Sequence, residues 1–270
     1  MGLSILGLAW RSLMNRRGSA LLTILAVALS VSLFLGVDKV RNGARAGFEN
    51  TISGTDLIVG APTGQINLLL YSVFRLGSAT AEISWDTYQS IADRDDVAWT
   101  VPISLGDSHR GFRVVGTNDS YFEHYRHGDG TKLRLAEGKL FTDIYEAVLG
   151  ADVARELGYE VGSEVVLTHG LGAGGLTDHE NRPFVVSGIL APTGTPVDRS
   201  IHVSLEGITA IHVGWESGTR SPFADTISEE MIRGFDLTPK SVTAVFVGLE
   251  RRGTLLRTQR ALNTQSGEPL

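Results

Sequence analysis

The chain has 270 residues, 24 basic and 30 acidic side chains, a formal net charge of −6 and no cysteine, which excludes a disulfide framework, a thiolate metal site and a cysteine nucleophile. No acid precedes Asp38, whereas Arg11, Arg16 and Arg17 do, so the part that follows carries 21 basic against 30 acidic residues, a net −9. Such a body lacks the basic surface that nucleic-acid binding requires.

Residues 1–18 read as an amphipathic helix. Leu3, Leu6, Trp10 and Leu13 fall at i, i+3, i+7 and i+10 and share one face, and Trp10 suits a membrane interface. The face is expected to lie against the membrane or a partner, with an ordinary unpartnered flank as the alternative. Residues 19–37, SALLTILAVALSVSLFLGV, contain no charge and no proline. At 1.5 Å per residue they extend about 29 Å, close to the roughly 30 Å of bilayer hydrocarbon, and predict a transmembrane helix. A buried core helix is usually shorter and rarely carries basic clusters at both ends. A cleaved signal peptide has the same outline, but Leu33–Val37 offers no small-x-small cleavage site.

Ala28, Ser32 and Gly36 repeat every fourth residue within the span, a strip of small side chains on which another helix can pack closely in lipid. Arginines before the span and Lys39, Arg41 and Arg45 after it leave orientation undecided by charge alone. Long domains translocate largely regardless of charge, so we favour the N-terminus inside and the large domain, residues 38–262, outside.

Asp56–Gly60 predicts a short strand and Ala61–Gly64 a turn. Ile66–Leu76 is then almost wholly apolar and too short to cross a bilayer. It is a buried core helix or an exposed element whose Leu68, Leu69, Leu70 and Phe74 touch lipid or an acyl-bearing substrate. Ser84 is placed to cap a helix with Trp85, Tyr88 and Ile91 on one face. Strands are predicted at Val97–Ile103, Gly111–Gly116, Ala147–Leu149, Val165–Thr168, Phe184–Leu190, Ile201–Val203 and Val242–Leu249. Helical runs lie at Asp152–Leu157, Leu205–His212, Glu229–Phe235 and Gly253–Leu262. Turns rather than regularly alternating helices join most strands, so the expected class is α+β, not a doubly wound sheet.

Signatures of chemistry are weak. Gly170–Gly175 is a literal G-x-G-x-x-G, but a polar turn follows it where a dinucleotide site needs a helix. There is no Walker A sequence and no G-x-S-x-G elbow. His124 with His127, and His169 with His179, lack a carboxylate at ligand spacing and read as scattered surface histidines. The expectation is a non-enzyme with no cofactor and no metal.

WRSLMNRRGSALLTILAVALSVSLFLGV at 10–37, ISGTDLIVG at 52–60, VLGADVARELGYEVGSEVVL at 148–167 and FVVSGILAPTGTPVDRSIHVSL at 184–205 together resemble the MacB/FtsX-type ABC transporter permeases. The resemblance implies one N-terminal transmembrane helix followed by a mixed α/β periplasmic domain of MacB type in two subdomains, in an inner-membrane protein. It implies a separate cytoplasmic ABC ATPase, a homodimer or paired permease, contact with membrane lipids, and motion passed to the periplasmic domain by mechanotransmission. Residues 1–17 would then touch the ATPase or the membrane face. The family carries three further spans, so 263–270 is expected to be a tail leading to spans beyond this sequence, in a fragment or truncation. A single-span anchored sensor or adhesion domain is the rival reading.

Overall fold

The computed structural model describes residues 2–169, 182–214 and 227–265. Contacts divide the chain into two compact units, Met1–Glu49 and Asn50–Leu270. In the first, α1 (Gly2–Asn15) is followed after one residue by α2 (Arg17–Thr51). The 25 residues Arg17–Arg41 of α2 are long and apolar enough to cross a bilayer, and none of the apolar window is buried. Thr23 Oγ1 donates to the Ser19 carbonyl at 3.0 Å and Ser30 Oγ to the Ala26 carbonyl at 2.8 Å. Both of these hydroxyls bond within the helix, which is what lipid would require of polar groups there. With no proline to stop it, α2 continues fourteen residues past Val37, so the apolar run and the helix do not share an end.

The second unit is organised on one mixed sheet. Its strands are β1 (Leu57–Gly60), β3 (Val97–His109), β4 (Phe112–Thr117), β7 (Leu135–Gly138), β8 (Glu146–Leu149), β9 (Glu164–Val165), β10 (Thr168–His169), β11 (Phe184–Leu190), β12 (Ser200–Ser204) and β14 (Ala244–Leu249). The order is β1-β14-β3-β4-β12-β8-β11-β7, with β10 on β3 and β9 on β11. β12 runs parallel to β4 and β11 parallel to β8; the other pairings are antiparallel. Two small hairpin-like pairs complete the strands: β2 (Ile83–Ser84) with β13 (Ser241–Val242), and β5 (Arg126–His127) with β6 (Thr131–Lys132). The α+β class is as expected. A division into two subdomains, where one is drawn, crosses this shared sheet and not a linker.

Both faces of the sheet are covered, so the apolar side chains of its central strands are buried on either side. Val114, Ala147, Leu149, Ile201 and Val203 join one core with α6 (Ala151–Leu157) and α7 (Leu205–Ile211). Their neighbours Val115 and Val148 point the other way, into a second core with Phe246 and the aromatic side chains of α5 (Asp119–His124). Val245 and Val247 build a third with Tyr88 and Ile91 of α4 (Trp85–Ala92) and Leu262 of α9 (Leu255–Gln265).

Local signals explain the helix starts. Ser84 accepts from the Thr87 amide at 3.3 Å, Ser204 from Gly207 at 2.9 Å, and Ser228 from Met231 at 3.2 Å at the head of α8 (Glu229–Ile232). Gly158 ends α6 in the left-handed region at φ 67°. Three expectations change. The strand expected over Val242–Leu249 is divided, Val242 pairing with Ile83 of β2 in a separate sheet while Ala244–Leu249 form β14. The run Val165–Thr168 is not one strand: Val165 pairs with Phe184 of β11 while Thr168 pairs with Ser108 of β3, so the stretch is divided between two neighbours. The helix expected to reach Phe235 ends at Ile232, where the Phe235 amide bonds the Ile232 carbonyl in a turn.

Candidate functional site

The last residue of α2 lies inside the second unit and is fastened there. Tyr125, next after α5, donates its hydroxyl to the Thr51 carbonyl, and the Ser53 amide bonds the Arg126 carbonyl at 2.9 Å. Ser53 and Arg126 form an isolated antiparallel bridge. Tyr125 and Thr51 are both buried. Burial pushes the Tyr125 hydroxyl above the ordinary phenol range, so it remains a donor at every physiological pH.

From Tyr125 a chain of rings runs into the centre of the sheet. Tyr121 stacks on Tyr125 with centroids 5.0 Å apart and lies 5.1 Å from His202 of β12, while Phe122 meets Phe141 edge to face at 5.5 Å. His202 is fully buried, and its Nδ1–H donates to the Val148 carbonyl at 3.3 Å. Burial first, and the charge of Arg75 second, push its pKa down to about 3. The imidazole is therefore neutral in the fold. Arg75, itself buried and held at φ 60°, donates to the Ser72 carbonyl just past α3 (Gln65–Ser72). Packed aromatic and hydrogen-bonded contacts thus connect the end of α2 to β12, the strand that joins β4 to β8.

The residues singled out in the sequence are distributed as follows. Leu3 and Leu6 lie in α1, and nothing is described of their side chains; Trp10 and Leu13, on the same helix, are exposed. Ala28, Ser32 and Gly36 are exposed along α2, and Gly36 has open space beside it. The apolar stretch Ile66–Leu76 divides. Leu68, Leu69 and Phe74 pack against the second core, whereas Ile66 is 75% exposed, Leu70 38% and Leu76 59%. Tight packing explains the inward half: a Cβ on Gly60 of β1 would collide with Leu68, so α3 sits directly on that strand.

The glycine loop at 170–175 and His179 lie outside the described residues. His124 stacks on Trp99 at 4.8 Å, and among the described residues no group of three or more His, Cys, Asp or Glu is placed to hold a metal ion. Asp198, in the loop after β11, accepts from the Thr193 amide and hydroxyl, both at 2.8 Å, and from the Gly194 amide at 2.7 Å. Its carboxylate shapes that loop. The junction residues Tyr125 and Arg126 carry no sequence signal of their own, because their role depends on a residue 74 positions earlier.

These features define a class: a non-repetitive α+β domain that follows one exposed apolar helix in the chain. A scan of protein families matches the MacB-like periplasmic core domain over residues 20–245. The chain belongs to that family, the periplasmic core domains of MacB/FtsX-type ABC transporter permeases. Solved structures similar to it include the extracellular domain of the ABC-type transporter YknZ from Gram-positive bacteria, at 16% identity and TM-score 0.42, covering 70% of this chain and 87% of that one. The periplasmic region of MacB from Actinobacillus actinomycetemcomitans is similar at 12% identity and TM-score 0.44, covering 83% and 88%. No curated protein matches. The family is that of a transporter component and implies an ABC transporter with a partner ATPase, and the apolar helix together with a periplasmic-type domain fits a membrane protein.

Proposed function

We propose that this chain is the anchored extracytoplasmic part of a permease that passes motion from a cytoplasmic ABC ATPase to an envelope substrate. Residues 1–18 lie on the inner face of the plasma membrane, with Leu3, Leu6, Trp10 and Leu13 towards the ATPase or the lipid headgroups. Residues 19–37 span, and Ala28, Ser32 and Gly36 pack against other helices of a homodimer or paired permease. Residues 38–262 act outside, and 263–270 lead on towards further spans. Of the four residues singled out on this stretch, Leu70, with Ile66 and Leu76, contributes the apolar surface that meets lipid or cargo, while Leu68, Leu69 and Phe74 support it from the core; a lipoprotein or lipid is favoured over a small molecule.

The observation that carries this reading is the continuity of α2: one helix runs from the apolar stretch to Thr51, whose carbonyl Tyr125 holds. A rigid helix transmits displacement where a flexible linker would absorb it. The test is an Ala44→Pro change in the assembled transporter, which breaks the helix between the span and the junction. ATPase binding and domain folding should persist, while ATP-driven change at a fluorophore placed on Val185 should disappear. An unchanged ATP response would refute the relay, and an absence of ATPase from the purified transporter would favour an anchored sensor.

A further inference from the structure

A cleft of about 570 Å³ opens on the β3–β4 side of the second unit, away from the Tyr125 junction in sequence and in lining residues. β3 bulges beside it: Leu105 pairs with Val115 and Ser108 with Arg113, so Gly106 and Asp107 stand against Val114 alone and leave the regular ladder with β4. α7 forms one wall, pressed so close to β4 that a Cβ on Gly116 would lie 2.8 Å from Ile208. The segment 235–241 forms the other, closed at its end by the β2–β13 pairing.

The lining is of two kinds. Leu105, Ile208, Val213 and Phe235 give an apolar floor and side wall. Around them stand three carboxylates, Glu82, Asp107 and Asp236, against one ammonium, Lys240. The acids are held in place: the Ser241 hydroxyl donates to Glu82, the Thr238 amide donates to Asp236 at 3.0 Å, and Asp107 is buried in the bulge. Hydrogen bonds from Thr238 keep the Asp236 carboxyl below its usual range, so it is ionised at neutral pH. His212 donates its Nδ1–H to the Ile208 carbonyl at 2.6 Å.

We propose that this cleft is a binding site for a small organic amine, with an aliphatic or aromatic body on Leu105, Ile208 and Phe235 and a protonated nitrogen among Glu82, Asp107 and Asp236. The volume falls within the range of small-molecule sites, whose usual form is an apolar cavity with a few fixed polar groups. Charge complementarity selects a cation over an anion or a neutral molecule of the same shape. The site does not depend on the proposed relay, since none of Thr51, Tyr121, Tyr125 and His202 lines it.

The test uses the full chain in zwitterionic lipid nanodiscs, titrated by calorimetry with 4-phenylbutylamine, 4-phenylbutanol and 4-phenylbutyrate, against discs without protein. The amine should bind saturably and more tightly than the alcohol, with the carboxylate weakest. The pair Glu82→Gln and Asp236→Asn, both exposed, should leave melting unchanged and weaken the amine about three- to tenfold without affecting the alcohol. Phe235→Ala should weaken amine and alcohol alike. Equal affinity for amine and alcohol, an undiminished affinity in the double variant, or uptake of amine by empty discs equal to that with protein would overturn the proposal.

Discussion

Replacing Tyr125 with phenylalanine removes one hydroxyl and leaves the ring, so it isolates the bond to the Thr51 carbonyl from the packing on Tyr121. A hydrogen bond of this kind contributes about 0.5–1.5 kcal/mol net. For a unit of roughly 200 residues each kcal/mol moves the melting point by about 2–4 °C, so Tyr125→Phe should lower it by about 1–6 °C. Truncation to alanine also removes a ring buried in the second core and should cost about 3–5 kcal/mol. The assay is tryptophan-monitored melting of the full chain in detergent, paired with hydrogen exchange at the Ser53 amide, whose bond to Arg126 lies next to the lost contact. Tyr125→Phe should speed exchange at Ser53 before it affects the centre of the sheet. If melting and Ser53 exchange both match the unaltered chain, Tyr125 does not fasten α2, and the relay loses its attachment point.

His202 has a folded pKa of about 3 against an ordinary 6.5, so between those values the unfolded chain binds a proton that the native one refuses. Stability should therefore fall as pH drops from 6.5 towards 3, and His202→Asn, which can still donate to Val148, should flatten the urea-midpoint slope by up to about 1.4 kcal/mol per pH unit; an unaltered slope would assign the acid sensitivity to other groups. Gly150→Ala places a Cβ against the Val197 and Asp198 backbone, where nothing can yield, so the variant should lose more than about 2 kcal/mol or fail to fold, as read by circular dichroism. Ile66, Leu70 and Leu76 are exposed, so changing all three to serine should leave melting within a degree or two yet impair cargo handling, whereas Phe74→Ala should cost about 3 kcal/mol through the core it packs on. A triple serine variant that unfolds would return the whole stretch to the core.

Sequence alone determined what depends on neighbours along the chain. The apolar run at 19–37 is set by composition, helix starts at Trp85 and Leu205 by the preceding Ser84 and Ser204, which bond amides three residues on, and central strands by runs of β-branched residues buried on both faces. The class and the family were legible on the same grounds. Only the tertiary structure decided the matters that depend on distant partners. It divided Val165–Thr168 between two strands, turned Leu69 inward and Leu70 outward on one short helix, brought Tyr125 to Thr51, and placed Glu82 and Asp236 on one cleft. Those outcomes follow from sheet order and strand register, which bring together residues far apart in the chain; no local propensity encodes which ones will meet.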